Sequence, residues 1–261
     1  MGVRDTTQAT VAPTHAERAV ADLLDIEAAP AKARAVLDRV PFWFHTFALN
    51  RRAGLYTPGV ARDHRYRIPA LPRRFDGRSV LDVGAFDGFY AFLAEARGAR
   101  RVVAIDNEQY RLWVRARWGV ELRGGEGFRA IHALLASGVE YRRLDAFDMS
   151  EMDERFDLVF CFGILHRVQD PLALLRLTRA RVAPGGCVLV ETYGSVGGDG
   201  GPAIDVLAPR AVYPRDDYVY WGFAAASLER LAAQAGFASV DVIGQPVVDG
   251  HPRILASMGA A

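Results

Sequence analysis

The stretch SVLDVGAFDGFYAFLAEAR, residues 79–97, sets the fold: a short apolar run, a loop carrying Gly84 and Gly88, then apolar positions at helical spacing. The pattern repeats downstream. Apolar runs at 79–84, 101–106, 139–145, 156–163 and 187–193 read as strands, with helices at Tyr90–Arg97, Tyr110–Trp118, Gly127–Ala136 and Pro171–Val182 between them. Such alternation is the signature of a βαβ series and a mostly parallel sheet. A further helix, Ala224–Ala235, ends at Gly236, and strands at 239–244 and 253–258 complete a seven-stranded α/β domain over residues 78–261.

Residues 1–77 have a different texture. Positions 1–14 are polar and threonine-rich, which predicts a frayed tail. Val20, Leu23, Leu24, Ile26, Val36, Leu37 and Val40 recur near helical spacing with Pro30 between them, which predicts two short helices. PFWFHTFAL (41–49) and the proline-punctuated segment to Pro72 are aromatic, basic and irregular, with no domain-sized core. They read as a cap over the sheet domain.

Composition narrows the function classes. In the 261 residues, 32 Lys+Arg oppose 31 Asp+Glu, so the chain has no overall field for holding a polyanion, and tight nonspecific nucleic-acid binding is not expected. Lys32 is the only lysine, so clustered arginines such as Arg73, Arg74 and Arg78 reflect codon bias as much as phosphate binding. No run reaches the roughly 20 apolar residues of a membrane span, and the N-terminal stretch lacks a secretory apolar core, which predicts a cytoplasmic protein. Cys161 and Cys187 lie in apolar runs without metal-ligand spacing, which predicts buried free thiols and no metal. Oligomeric state is not legible.

Ligands of an open α/β sheet sit at the carboxyl ends of the strands, near the point where strand order reverses. The first loop has Gly84 and Gly88 but not the G-x-G-x-x-G of a dinucleotide cradle. The second strand ends in Asp106, placed to accept hydrogen bonds from both ribose hydroxyls. Asp145, ending the third, precedes Ala146 and Phe147, suited to an adenine amino group and ring face. Together with Asp82 these acids describe a nucleoside site without a phosphate. The bland alternative is that they cap the helices that follow.

At these residues the chain resembles the class I S-adenosylmethionine-dependent methyltransferases, a Rossmann-like fold, over about Arg78 to Met258. The Pro184-Gly185-Gly186 turn is part of the likeness. LDVGAFDGFYAF, CFGILHRVQDPL and LVETYG are most similar to the tRNA wobble-uridine (carboxy)methyltransferases and their small-molecule relatives. The resemblance implies S-adenosyl-L-methionine as cofactor, with Gly84 and Gly88 at its methionine part, Asp106 at the ribose, and Asp145 with Ala146 at the adenine. Asp82, Ala85, Phe86, Asn107, Phe147 and Phe162 complete the implied set. Phe86 stands where the family usually has the central glycine of the loop.

Methyl transfer needs an in-line approach, a water-poor pocket and often a base. His166, just past strand four, and His45, in the aromatic cap, are the candidates for that base; His166 is equally readable as a residue that only supports the loop. Trp43, Tyr193, Tyr220 and Trp221 are the candidate substrate-binding aromatics, and His251 reads as structural. The expected function is O- or N-methylation of a small organic metabolite, with natural-product biosynthesis as its setting. Two alternatives stand beside it. One is tRNA wobble-uridine carboxymethyl transfer, against which count His166 in place of that family's Tyr and Arg51 or Arg52 in place of its Lys. The other is a non-catalytic cofactor-sensing or partner-binding module.

Overall fold

The computed structural model describes residues 13–24, 26–62, 64–195 and 201–261, so most of the expected frayed tail lies outside the described residues. Helix α1 (His15–Ala21) opens with a capping box in which the Thr14 side chain accepts from Glu17 N–H and Glu17 returns to the Thr14 N–H. Helix α2 (Pro30–Arg39) starts at Pro30 itself, whose missing N–H costs nothing in a first turn. The two expected cap helices are therefore present. The irregular stretch after them is more ordered than its composition suggests: it holds a hairpin, β1 (Ala48–Asn50) with β2 (Leu55–Tyr56), and a one-turn helix α3 (His64–Arg67).

Then come β3 (Ser79–Val83), α4 (Phe89–Ala96), β4 (Arg101–Asp106), α5 (Tyr110–Trp118), α6 (Glu126–Leu135), β5 (Glu140–Arg143), β6 (Phe156–Phe162), α7 (Pro171–Ala180) and β7 (Val182–Tyr193). After a small hairpin, β8 (Ile204–Val206) with β9 (Trp221–Phe223), the chain ends with α8 (Ala225–Gln234), β10 (Ser239–Gly244), β11 (Val247–Val248) and β12 (His251–Gly259). The main sheet runs β10-β12-β7-β6-β3-β4-β5, with β11 hooked onto β12. Pairs among β3 to β7 are parallel, whereas β12 is antiparallel to β7 and to β10. Strand order reverses beside β3, so the loop after it lies at the switch point.

The seven expected strands are all present, and β7 starts five residues early. Its Pro184-Gly185-Gly186 turn stays within the strand because glycine permits two things there. Gly185 takes φ +72°, and a Cβ on Gly186 would sit 2.7 Å from the Asp157 carbonyl oxygen. Successive β3 residues serve opposite faces: Val80 joins a core with Phe89, Phe92, Phe128 and Phe160, and Leu81 one with Val159, Leu174, Val190 and Leu228. Leu24, Val36, Trp43, Phe47 and Leu49 of the N-terminal segment pack into the first of these, so cap and sheet share apolar burial.

Candidate active site

Three residues in five adopt left-handed backbone after β3: Gly84 (φ +74°), Phe86 (+54°) and Gly88 (+84°). Phe86 thus keeps the conformation that a glycine would take without strain. It is held there from both ends. Its N–H donates to Asp106 Oδ2 at 2.9 Å, and its ring stacks on Tyr110 at 3.8 Å and on Phe44 at 4.8 Å.

A cavity of about 720 Å³ opens beside this loop. Asp82, Gly84, Ala85, Phe86, Asp106, Asn107, Asp145, Ala146, Phe147 and Phe162 all line it, as do His45, His166 and Tyr220. Four expected site residues lie elsewhere. Gly88 caps α4 off the cavity lining, where a Cβ would meet the Phe128 ring at 2.5 Å. Trp43 is buried against Phe47 and Gly127. Trp221 turns its indole N–H to the Val168 carbonyl at 2.8 Å. Tyr193 is buried behind the cavity, with the Arg253 guanidinium 3.7 Å from its ring centroid. Aromatic residues near a predicted rim fill core space as readily as they line a pocket, and sequence does not separate the two.

The three acids differ in environment. Asp106 accepts N–H from Phe86 and, at 2.6 Å, from Glu108, and burial pushes its carboxyl up to about 6. Burial pushes Asp82 up to about 7, and its Oδ2 has no hydrogen-bond partner. Asp145 does cap the short 3-10 helix that follows, accepting from Phe147 N–H, and its other oxygen accepts from Asn107 Nδ2 at 2.6 Å. Capping and cavity lining are therefore not exclusive.

The histidines divide. His166 is buried, its Nδ1 is 3.3 Å from Thr192 Oγ1, and burial, reinforced by Arg167, Arg253 and Arg67, holds its pKa well below the ordinary value. That environment favours the neutral ring. The His45 Nδ1 contacts Asp87 Oδ1, and Asp87 Oδ2 accepts the N–H groups of Phe44 and His45 at 2.9 and 2.8 Å. His251 lies off the cavity against Tyr213 and Tyr193.

The sequence reading missed the cations of this cavity. Arg67 and Arg253 both line it and both pair with buried Glu191, at 2.5 and 3.1 Å, while Arg167 is held by Asp216. Arg51, by contrast, sits on the exposed β1–β2 turn paired with Glu27. Nothing local distinguishes Arg67 among so many arginines; only strand pairing brings Arg253 beside β7. Among the described residues no three metal-ligating side chains cluster and no helix is long and apolar enough to cross a membrane. Cys161 is buried, with its thiol pushed up to about 12, whereas Cys187 is only half-buried.

Residues 55–242 match the model of a family described as Methyltransferase domain. The chain belongs to this methyltransferase family. The methyltransferase is 27% identical over 173 residues to the tRNA U34 carboxymethyltransferase of Campylobacter hominis, covering 66% of this chain and 55% of that protein. It is also 27% identical over 117 residues to the enzyme of that name from Nautilia profundicola, covering 45% and 35%. The chain thus spans about half the length, or less, of these curated relatives. Among solved structures, the N-terminal domain of EvdMO1 with S-adenosylhomocysteine bound superposes with TM-score 0.59 at 22% identity, over 91% of this chain and 99% of that one. The 1,6-didemethyltoxoflavin-N1-methyltransferase of Burkholderia thailandensis, with 1,6-didemethyltoxoflavin and S-adenosylhomocysteine bound, gives 0.51 at 21% identity, over 71% and 72%. The Rossmann-like fold and the S-adenosylmethionine-dependent methyltransferase class read from the sequence are both met.

Proposed function

We propose that this methyltransferase carries a methyl group from S-adenosylmethionine to an oxygen or nitrogen of a small organic acceptor, in the cytoplasm and in the service of natural-product biosynthesis. The observation that carries the reading is a single cavity whose lining combines the carboxylates of Asp82, Asp106 and Asp145 with the aromatic rings of Phe44, Tyr90, Trp113 and Tyr220. Its volume of about 720 Å³ falls in the range of small-molecule sites.

The residues suit the cofactor. The buried, unpartnered Oδ2 of Asp82 is an acceptor that an α-ammonium group would satisfy, and each Asp106 oxygen keeps a lone pair for a ribose hydroxyl beyond the N–H it already accepts. Gly84 takes φ +74°, a backbone conformation that side chains rarely adopt. Asp145, Asn107, Ala146 and Phe147 would hold the adenine. When bound, the cofactor supplies an electrophilic methyl on a sulfonium. Residues 78–261 would then form the catalytic domain, and residues 1–77, through Phe44 and His45, its cover.

A second reading is carboxymethyl transfer to a tRNA wobble uridine, the activity in the names of the curated relatives. Arg67 and Arg253 favour it, because both guanidiniums line the cavity, where a carboxylated donor needs a cation. The near-neutral whole-chain charge favours a small acceptor instead. One experiment separates the readings: competition between S-adenosylmethionine and its carboxylated form for the purified protein, with methyl-¹⁴C donor then used to label either a metabolite extract or bulk tRNA. Preference for the carboxylated donor with label absent from metabolites would replace the first reading by the second.

A further inference from the structure

Of the two cavity histidines, only His45 has a carboxylate behind it, and the surroundings hold its backbone in place. The Asp87 carboxylate touches His45 Nδ1 through one oxygen and accepts the N–H groups of Phe44 and His45 through the other. Thr57 Oγ1 donates to the His45 carbonyl at 2.8 Å and accepts the Phe47 N–H at 2.8 Å. Gly59 lies so close that a Cβ on it would sit 2.3 Å from the His45 carbonyl carbon. Both His45 and Asp87 are buried, at 3% and 2% exposure, yet His45 lines the cavity. A core histidine needs packing, not a carboxylate and three sets of backbone restraints.

We propose that His45 is the general base of this methyltransferase and that Asp87 is its positioning residue. This rests on the reading of the cavity as a methyl-transfer site. With Asp87 ionised, Nδ1–H is the donor to its carboxylate, so the imidazole is fixed in one tautomer with the Nε2 lone pair as its basic atom. Asp87 belongs to the loop after β3, two residues past Ala85 and next to Gly88, so the loop that would carry the donor also sets the ring that would receive the proton. In the transfer, the acceptor's O–H or N–H proton passes to Nε2 as its lone pair forms the bond to the methyl carbon. The S–C bonding pair returns to sulfur, so a neutral thioether leaves and the imidazolium is balanced by Asp87. That proton goes to water when the product departs. The titratable neighbours packed on the ring are Asp87 from the loop, His64 of α3 at 4.5 Å between ring centroids, and Tyr90 of α4 at 5.6 Å.

Long-range ¹H–¹⁵N NMR on the full chain with S-adenosylhomocysteine tests the tautomer without any acceptor. The expected result is an Nδ1-protonated His45 whose Nε2 is bare, becoming a tautomer mixture in Asp87→Asn; an Nε2-protonated ring in the parent overturns the proposal. Kinetics with methyl-¹⁴C S-adenosylmethionine and the acceptor it labels form the second arm. His45→Gln should lose about 10² to 10⁴ in kcat at neutral pH and regain about tenfold per pH unit as the acceptor ionises unaided, and Asp87→Asn should lose at least tenfold. Retention of full kcat and the parent's pH profile by His45→Gln overturns it as well. Failure of the parent to take up S-adenosylhomocysteine would instead sink the functional reading, and the tautomer of the free protein would still be readable.

Discussion

The Phe86 N–H reaches Asp106 Oδ2 across the switch point of the sheet, from a backbone at φ +54°. A side chain in left-handed backbone costs about 1–2 kcal/mol, and the stack with Phe44 and Tyr110 offsets it. Truncation to alanine keeps the cost and removes the stack. Truncation to glycine removes both, so Phe86→Gly should be more stable than Phe86→Ala by about 1 kcal/mol, after allowing for the freer unfolded chain. Urea unfolding midpoints check this, and an alanine variant as stable as the glycine one would disprove the strain.

Cofactor affinity should rise with pH. Asp82 and Asp106 carry folded-state pKa values of about 7 and about 6, raised by burial above the ordinary 3.8. The folded protein therefore binds more protons than the unfolded chain between about pH 4 and 7, and the stability these groups lend at low pH is lost as pH rises through 6 to 7. A ligand that needs both carboxylates ionised binds better across the same window. The Tm increase given by S-adenosylhomocysteine should accordingly be larger at about pH 8 than at about pH 5.5. Asp106→Ala should weaken binding by about ten- to a hundredfold, from about 1–3 kcal/mol of lost pairing. Calorimetry at two pH values measures both effects, and a flat pH response would contradict the burial argument.

Glu191 is the hinge of a buried three-charge cluster. Replacing it by glutamine removes the carboxylate that the two buried guanidiniums of Arg67 and Arg253 share. Breaking such a cluster costs about 3–5 kcal/mol. The exposed Arg74–Asp76 pair supplies the control, and Asp76→Ala should leave unfolding unmoved. Thermal and urea unfolding of the two variants decide it: similar midpoints for both would mean that the cluster is hydrated.

How far the sequence reached follows from the range of each interaction. Strand periodicity and the acid at each strand end are local signals, and Asp82, Asp106 and Asp145 all line the cavity they were expected to line. The hairpin β1–β2 was not legible, because Thr57 ties to His45 and Phe47 through side-chain bonds that no periodicity encodes. Arg253 could not be placed either. It reaches the cavity only because β12 runs antiparallel to β7, with Arg253 opposite Tyr193, and that same register turns Tyr193 into a platform for the guanidinium. Asp87 reads in sequence as one more acid in a loop; only the fold puts His45, 42 positions away, on its oxygen.

The last expectation concerns the other histidine, and its sign is opposite to that of the acids. Burial and three arginines hold His166 well below the ordinary imidazole value of 6.5, so in the folded protein it stays neutral where the unfolded chain takes up a proton. The unfolded state then binds more protons below about pH 6.5, and the linkage makes stability fall with acidification. His166 thus lends stability that is fully present above the unfolded value and is lost as pH drops beneath it. His166→Gln, which keeps a polar group for Thr192 and cannot titrate, should unfold at a less pH-dependent midpoint than the parent between about pH 7.5 and about pH 5. In a pH-rate profile the same substitution should leave any limb near pH 6 to 7 in place, because a permanently neutral imidazole contributes none there. Paired urea titrations at the two pH values read the first effect. Parallel acid dependence in parent and variant would show that His166 titrates normally and that burial does not hold it neutral.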